Sequence, residues 1–138
     1  MKRNQEPLKD TFIFAVNSDC DDPAGELAMV QAHMNGHPVK QVHGKWDGVT
    51  EFSYVVCCNP GDFDVVNKVK AIAARFKQDC ILYLDPERKA YLLFAEDNYS
   101  VPVFQGYFKP CTMSQAYKKQ GYTFDPMMGQ HYIVEDHR

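Results

Sequence analysis

The single tryptophan of this 138-residue chain stands in a segment whose residue types could hold a charged, ring-bearing ligand. The run 42–53, VHGKWDGVTEFS, puts Trp46 beside a Gly-containing turn, Glu51 at the start of the next strand, and Ser53 two residues on, on the same strand face. An aromatic ring binds such a ligand by stacking or cation–π attraction, and a carboxylate holds its charge. Taken alone, the segment fits a hairpin tip with an exposed Glu51 and a half-buried Trp46 better than it fits a site. A second candidate pair, Gln78 and Asp79, lies in Lys77-Gln78-Asp79-Cys80, between a helix and a strand. These two side chains could line a cleft, but capping the helix is the plainer role.

Other constellations point away from chemistry. His33 and His37 have the spacing of two ligands on one helix face, yet Gly36 and Pro38 end the helix there and no third ligand is evident, so they read as surface histidines. Asp19, Asp21 and Asp22 lack the glycine and glutamate of a calcium loop and suit helix capping better. Cys57 and Cys58 are strand neighbours pointing to opposite faces. With five cysteines and no C-x-x-C pair, a disulfide framework or zinc knuckle is disfavoured, and most of the cysteines read as small core residues in a reducing compartment. No P-loop, G-x-G-x-x-G, G-x-S-x-G or H-E-x-x-H motif occurs. Common nucleotide enzymes that use such motifs are therefore disfavoured, and no metal or cofactor is expected.

The elements that must position these residues follow from pattern. Residues 11–17 (TFIFAVN) form an apolar run of strand length. Asp22 before Pro23 is a helix start, with Leu27, Val30 and Met34 on one face and Ala24, Ala28 and Ala32 allowing close packing. Residues 39–46 and 51–58 read as two strands joined through Asp47-Gly48. Val65, Val69, Ile72 and Phe76, widened by Val66 and Ala73, mark the clearest helix. Residues 80–84 and 89–95 are further strands, and 98–108 is extended, with Pro102 suggesting an edge or bulge. Two short apolar pieces, 122–124 and 132–134, end the chain. The order β-α-β-β-α-β predicts a ferredoxin-like α+β core, an antiparallel sheet with two helices on one face and a C-terminal β extension. Its bare face would need covering, and self-association is the simple answer. We expect a loose, charged stretch at 1–10 and one domain over 11–138.

Length and charge bound the function. Hydrophobic residues are 45% of the chain and charged residues 24%, which is ordinary for a folded domain. The net charge of −3 disfavours sequence-independent nucleic-acid binding. No apolar run is long enough for a membrane helix, and the polar start lacks the apolar segment of a signal peptide, so a cytoplasmic protein is expected. A domain this small seldom holds both a full core and a deep private pocket, so a drug-sized ligand would be expected in a cleft shared between subunits.

Taken together, these residues resemble the phage-encoded S-adenosylmethionine-degrading enzymes, the SAM lyases formerly called SAM hydrolases. The likeness is densest over 65–95, where the helix VVNKVKAIAARF runs into KQDCILYLDPERKAYLLFAE, with its Gln-Asp-Cys junction. Gly44-Lys45-Trp46-Asp47 is similar to a family Gly-x-aromatic-polar motif, and Glu51 falls at the family's functional glutamate. Gly106-Tyr107-Phe108 and Gly121-Tyr122-Thr123-Phe124 have counterparts of the same kind. The chain departs from the pattern in carrying Trp46 where the family has tyrosine, and in a shorter step from that ring to Glu51. The resemblance implies a homotrimer of ferredoxin-like subunits with active sites between them. It also implies cleavage of SAM to methylthioadenosine and homoserine lactone in the cytoplasm of an infected bacterium, depleting the methyl donor of restriction systems. Glu51 would be the catalytic residue, with Trp46, Ser53, Gln78 and Asp79 binding substrate. Two other readings stand beside it: a PII-like trimeric module that binds an adenine nucleotide or SAM without turnover, and a protein antagonist of a host enzyme.

Overall fold

The structure, a computed structural model, describes residues 9–17 and 19–136. Most of the stretch expected to be loose, 1–8, lies outside the described residues. Eight strands and three α-helices follow in the order β1 (Asp10–Phe14), α1 (Pro23–Met34), β2 (Lys40–Trp46), β3 (Val49–Cys58), α2 (Phe63–Arg75), β4 (Cys80–Leu84), β5 (Lys89–Phe94), β6 (Pro102–Cys111), α3 (Met113–Tyr117), β7 (Gly121–Asp125) and β8 (Gln130–Glu135).

The first six elements keep the expected order, but the ferredoxin-like open sheet is wrong. The strands form a closed antiparallel barrel, β1-β3-β2-β7-β8-β6-β5-β4, with β4 pairing back onto β1. The C-terminal segments do the closing: β7 pairs with β2, β8 joins β7 to β6, and β6 carries the sheet round to β5. Closure removes the edges that an open sheet would leave unpaired. It also removes the expected bare face. Ile13, Val55, Leu82, Leu84, Ala90, Phe108 and Val134 come from six different strands and pack on one another, so that face lines the lumen. The other face of β1, with Phe12, Phe14 and Val16, packs with Tyr54 and Val56 of β3 and with Val30, Met34, Val65, Val69 and Ile72 of the two long helices.

Local signals act largely as expected. The Asp22 side chain accepts from the Gly25 amide at 3.0 Å and Pro23 is the first helical residue. A cap that was not expected, the Asp62 side chain accepting from the Val65 amide, starts α2. Asp47 (φ 51°) and Gly48 (φ 84°) make the two-residue turn between β2 and β3. Pro102 is the first residue of β6, paired with Leu93 of β5 on one side and lying beyond the stretch that pairs with β8, an edge position that tolerates a missing donor. Two details differ. Ala24, Ala28 and Ala32 are exposed, because they lie on the face of α1 opposite Val30 and Met34. Among the cysteines only Cys58 is buried, and Cys57 is exposed on the opposite side of the strand. His33 and His37 tie α1 to α2, through the Lys68 carbonyl at 2.8 Å and the Asp64 carboxylate at 2.9 Å.

Candidate active site

Antiparallel pairing decides where the candidate residues meet. β1 ends where β3 begins and where β4 starts, since Phe14 pairs with Tyr54 and Ile13 with Leu82. The start of β3, the end of β2, the start of β4 and the β1–α1 connection therefore share one end of the barrel. Trp46, Glu51, Ser53, Gln78 and Asp79 all fall at that end.

Glu51, Ser53 and Val55 alternate on the lumen-facing side of β3, as strand period requires. Ser53 is buried, and a side chain at Gly44 across the ladder would collide with its hydroxyl. Gly44 also pairs directly with Glu51, so the β2 position facing the carboxylate carries no side chain. Glu51 is half-buried at the mouth. Burial, and secondly the negative charge of Glu26, hold its carboxyl above the ordinary glutamate range. Burial also raises the Cys80 thiol, with Asp79 and then Glu51 adding to the effect.

Trp46 is 62% exposed, and its ring lies against Gly121 of β7, where any side chain would clash. Gln78 is committed to structure: its side-chain nitrogen donates to the Val16 carbonyl at 3.3 Å, and its own carbonyl accepts from the Tyr99 hydroxyl. It ties the start of β4 to the end of β1 and so holds the mouth together. The Asp79 carbonyl accepts from the Ala95 amide at 2.9 Å, while the residue is exposed.

Sequence reading missed Glu26 and Tyr54. Tyr54 is fully buried on the helix-facing side of β3, and its hydroxyl donates to the Glu26 carboxylate on α1. Gln41 donates to the Tyr54 oxygen at 3.1 Å and to the Pro23 carbonyl at 2.9 Å. An acid in the first turn of a helix ordinarily signals only a favourable dipole interaction, and nothing local to residue 26 announces a partner 28 positions away. Among the described residues neither Glu26 nor Glu51 takes part in an ion pair, in contrast to Asp64, Glu87, Asp125 and Glu135.

The arrangement is an acidic, aromatic-edged mouth suited to a cation, and no group of described residues has the makings of a metal site. A cleft of about 500 Å³, lined by Glu87, Arg88, Tyr107, Phe108 and Lys109, lies toward the opposite end of the barrel. No helix among the described residues is long and apolar enough to cross a membrane.

The fold is a small closed antiparallel barrel whose one end carries a half-buried carboxylate, in no ion pair among the described residues, and a largely exposed Trp46. The family is settled by comparison: the model of the S-adenosylmethionine lyase family matches residues 14–135, and the chain belongs to that family. Comparison with curated proteins gives no match.

Proposed function

We propose that this chain cleaves S-adenosylmethionine to methylthioadenosine and homoserine lactone, with Glu51 as the residue on which turnover depends. The observation that carries the reading is Glu51 itself, half-buried at the barrel mouth and in no ion pair among the described residues.

The substrate brings its own reactive groups. Its carboxylate oxygen attacks Cγ of the methionyl chain, a C–O bond forms as the Cγ–S bond breaks, and the bonding pair leaves with sulfur. A sulfonium becomes a neutral thioether, a carboxylate becomes a lactone, and no proton moves. Joining opposite charges into neutral groups is favoured by removing water, and folding the methionyl chain supplies proximity. A carboxylate pressed against the sulfonium would stabilise the charge being lost and slow the step. Glu51 is therefore assigned to the α-ammonium group, which keeps its charge throughout. Ser53 orients the substrate from the floor of the mouth, Trp46 offers a face for the adenine, and Gln78 and Asp79 form the far wall. Trp46 and Asp79 are exposed in a single chain, which fits a homotrimer in which a neighbour completes each cleft. In an infected bacterium such turnover in the cytoplasm would deplete the methyl donor of restriction systems.

Purified protein incubated with SAM should release methylthioadenosine, seen by chromatography, and Glu51→Gln should abolish it. A fully active Glu51→Gln variant would remove this residue from the site. In ¹⁸O-labelled water the newly released lactone should carry no label; attack by water, with Glu51 as its general base, would instead release homoserine labelled at its γ-hydroxyl. Bound SAM without product would mean a sensor instead.

A further inference from the structure

β5 ends beside the start of β4, since Phe94 pairs with Cys80, so the connection from β5 to β6 borders the mouth. Three non-glycine residues at positive φ flank this junction: Lys77 (55°), Asn98 (54°) and Tyr99 (56°). Two of them are ordinary. Lys77 follows the last turn of α2, where a left-handed residue is a common stop. Asn98 ends the 3-10 turn Ala95–Asp97, and asparagine tolerates that conformation. Tyr99 repeats it one residue later, where a bulky side chain is an outlier. Its ring belongs to the core cluster shared by β1, β3 and the two long helices and is 5% exposed. Burial accounts for the ring, and a phenylalanine would supply as much. The hydroxyl adds one thing, a hydrogen bond of 2.5 Å donated to the Gln78 carbonyl. The next residue, Asp79, is held from the same connection, its carbonyl accepting from the Ala95 amide at 2.9 Å. The Gln78 side chain in turn donates to the Val16 carbonyl, just past β1. Residues 78–79 are thus fixed between the β5–β6 connection on one side and β1, the strand next to β3, on the other. A costly backbone conformation persists where its surroundings over-determine it, and such residues cluster at active sites and ligand clamps.

We propose that Tyr99 is a positioning residue of the site: its hydroxyl fixes the Gln78 carbonyl and through it sets Asp79 at the wall of the SAM cleft. This rests on the reading of Gln78 and Asp79 as that wall. Asp79 is exposed, and its carboxylate is in no ion pair among the described residues. No partner side chain therefore aims it, and the backbone beneath it does. With the carbonyls of residues 78 and 79 both tied, the wall is ordered before the substrate arrives, and binding does not have to supply that ordering. Tyr99 touches neither substrate nor reacting atoms, so its contribution belongs in KM and not in kcat.

The test is a double-mutant cycle read in KM and kcat for SAM. Tyr99→Phe keeps the ring in the core and removes only the hydroxyl. It should raise KM about fivefold, leave kcat within about twofold, and lower Tm by about 5 °C at most. Asp79→Asn should raise KM as well, and adding Tyr99→Phe to it should raise KM no further, because the wall that the hydroxyl aims has already lost its charge. A merely structural hydroxyl would give independent losses that add. Ala95→Pro reaches the same wall by a second route. Residue 95 is the first of the 3-10 turn, where proline fits, and Phe94 before it is already extended (φ −93°, ψ 144°), as a residue preceding proline must be. This variant removes the amide that holds the Asp79 carbonyl and should reproduce the rise in KM. An unchanged KM in folded Tyr99→Phe or in Asp79→Asn, additive losses in the double variant, or a fall in kcat with KM unchanged would overturn the inference. Should Tyr99→Phe not fold, Ala95→Pro decides, and parental KM in that variant counts against the assignment. If the parent neither turns over nor binds SAM, it is the reading of function that fails instead.

Discussion

At the residue scale, Glu51 couples the site to pH. Its folded-state carboxyl is raised, first by burial and then by Glu26, so the ionised form proposed to hold the ammonium is lost as pH falls through a value above the ordinary glutamate range. The acid limb of kcat/KM should therefore lie above that range, and in Glu26→Gln it should move down because one of the two raising causes is gone; a pH–rate profile of each protein checks this. The same shift has a stability sign. A carboxyl with a raised folded-state value binds its proton more readily in the folded chain than in the unfolded one, so stability falls as pH rises through the window between the two values. Near neutrality Glu51 is a cost to the fold. Glu51→Gln should leave Tm unchanged or slightly higher at pH 7 while removing activity, the pattern expected where function and stability compete. The pairing of Glu51 with Ser53 on one strand face was legible from alternation alone. Glu26 was not, since its relation to Tyr54 exists only once α1 has folded back over β3.

At the scale of elements, two rows of rings run directly across the barrel staves, one ring per strand. Phe12, Tyr83, Tyr91 and Phe104 are successive cross-strand partners on β1, β4, β5 and β6, with neighbouring centroids 5.2, 5.6 and 5.7 Å apart. Phe52, His43, Phe124 and His131 do the same on β3, β2, β7 and β8, at 5.2, 5.8 and 4.5 Å. Such pairs specify register as well as adding stability. None of this is visible along the chain, because each partner lies on another strand. The caps, by contrast, are local. Asp62→Ala should cost about 1 kcal/mol in urea unfolding, the ordinary loss of an N-cap. Gly106 is demanding in a different way: its φ is 142° and a side chain there would run into the Glu135 carbonyl of β8. Gly106→Ala should lose about 2 kcal/mol or more by the same measurement, combining backbone strain with a steric clash. α3 went unexpected although Thr112 and Gln115 form a complete capping box, because five residues are too few to show an apolar period.

At the scale of the whole molecule, closure depends on the last two strands. A chain ending at residue 118 would lose β7 and β8, leave β2 and β6 as raw edges and open the lumen. It should lose cooperative unfolding and aggregate, which circular dichroism and light scattering would show. The proposed trimer makes its own demand: light scattering on the intact protein should give three times the 15.8 kDa chain mass. A monomer that turns over SAM would place the whole site within one barrel. The motive for assembly also changes. The sheet face expected to need a partner is filled from within by the lumen cluster, so association would serve to complete a cleft at Trp46 and Asp79 and not to cover a core.

What the sequence by itself determined are features carried by neighbours in the chain: strand and helix identity from period, the helix start at Asp22, the Asp47-Gly48 turn, and the grouping of Glu51 with Ser53. These depend on interactions across two to eleven residues, and the residue types suffice to specify them. Only the tertiary structure decided that the sheet closes, that Gln78 braces the mouth through Val16, and that Glu26 on α1 accepts from a buried tyrosine of β3. Those outcomes turn on which distant backbone edges pair, and a strand's own sequence does not say whether its second edge will meet water or another strand.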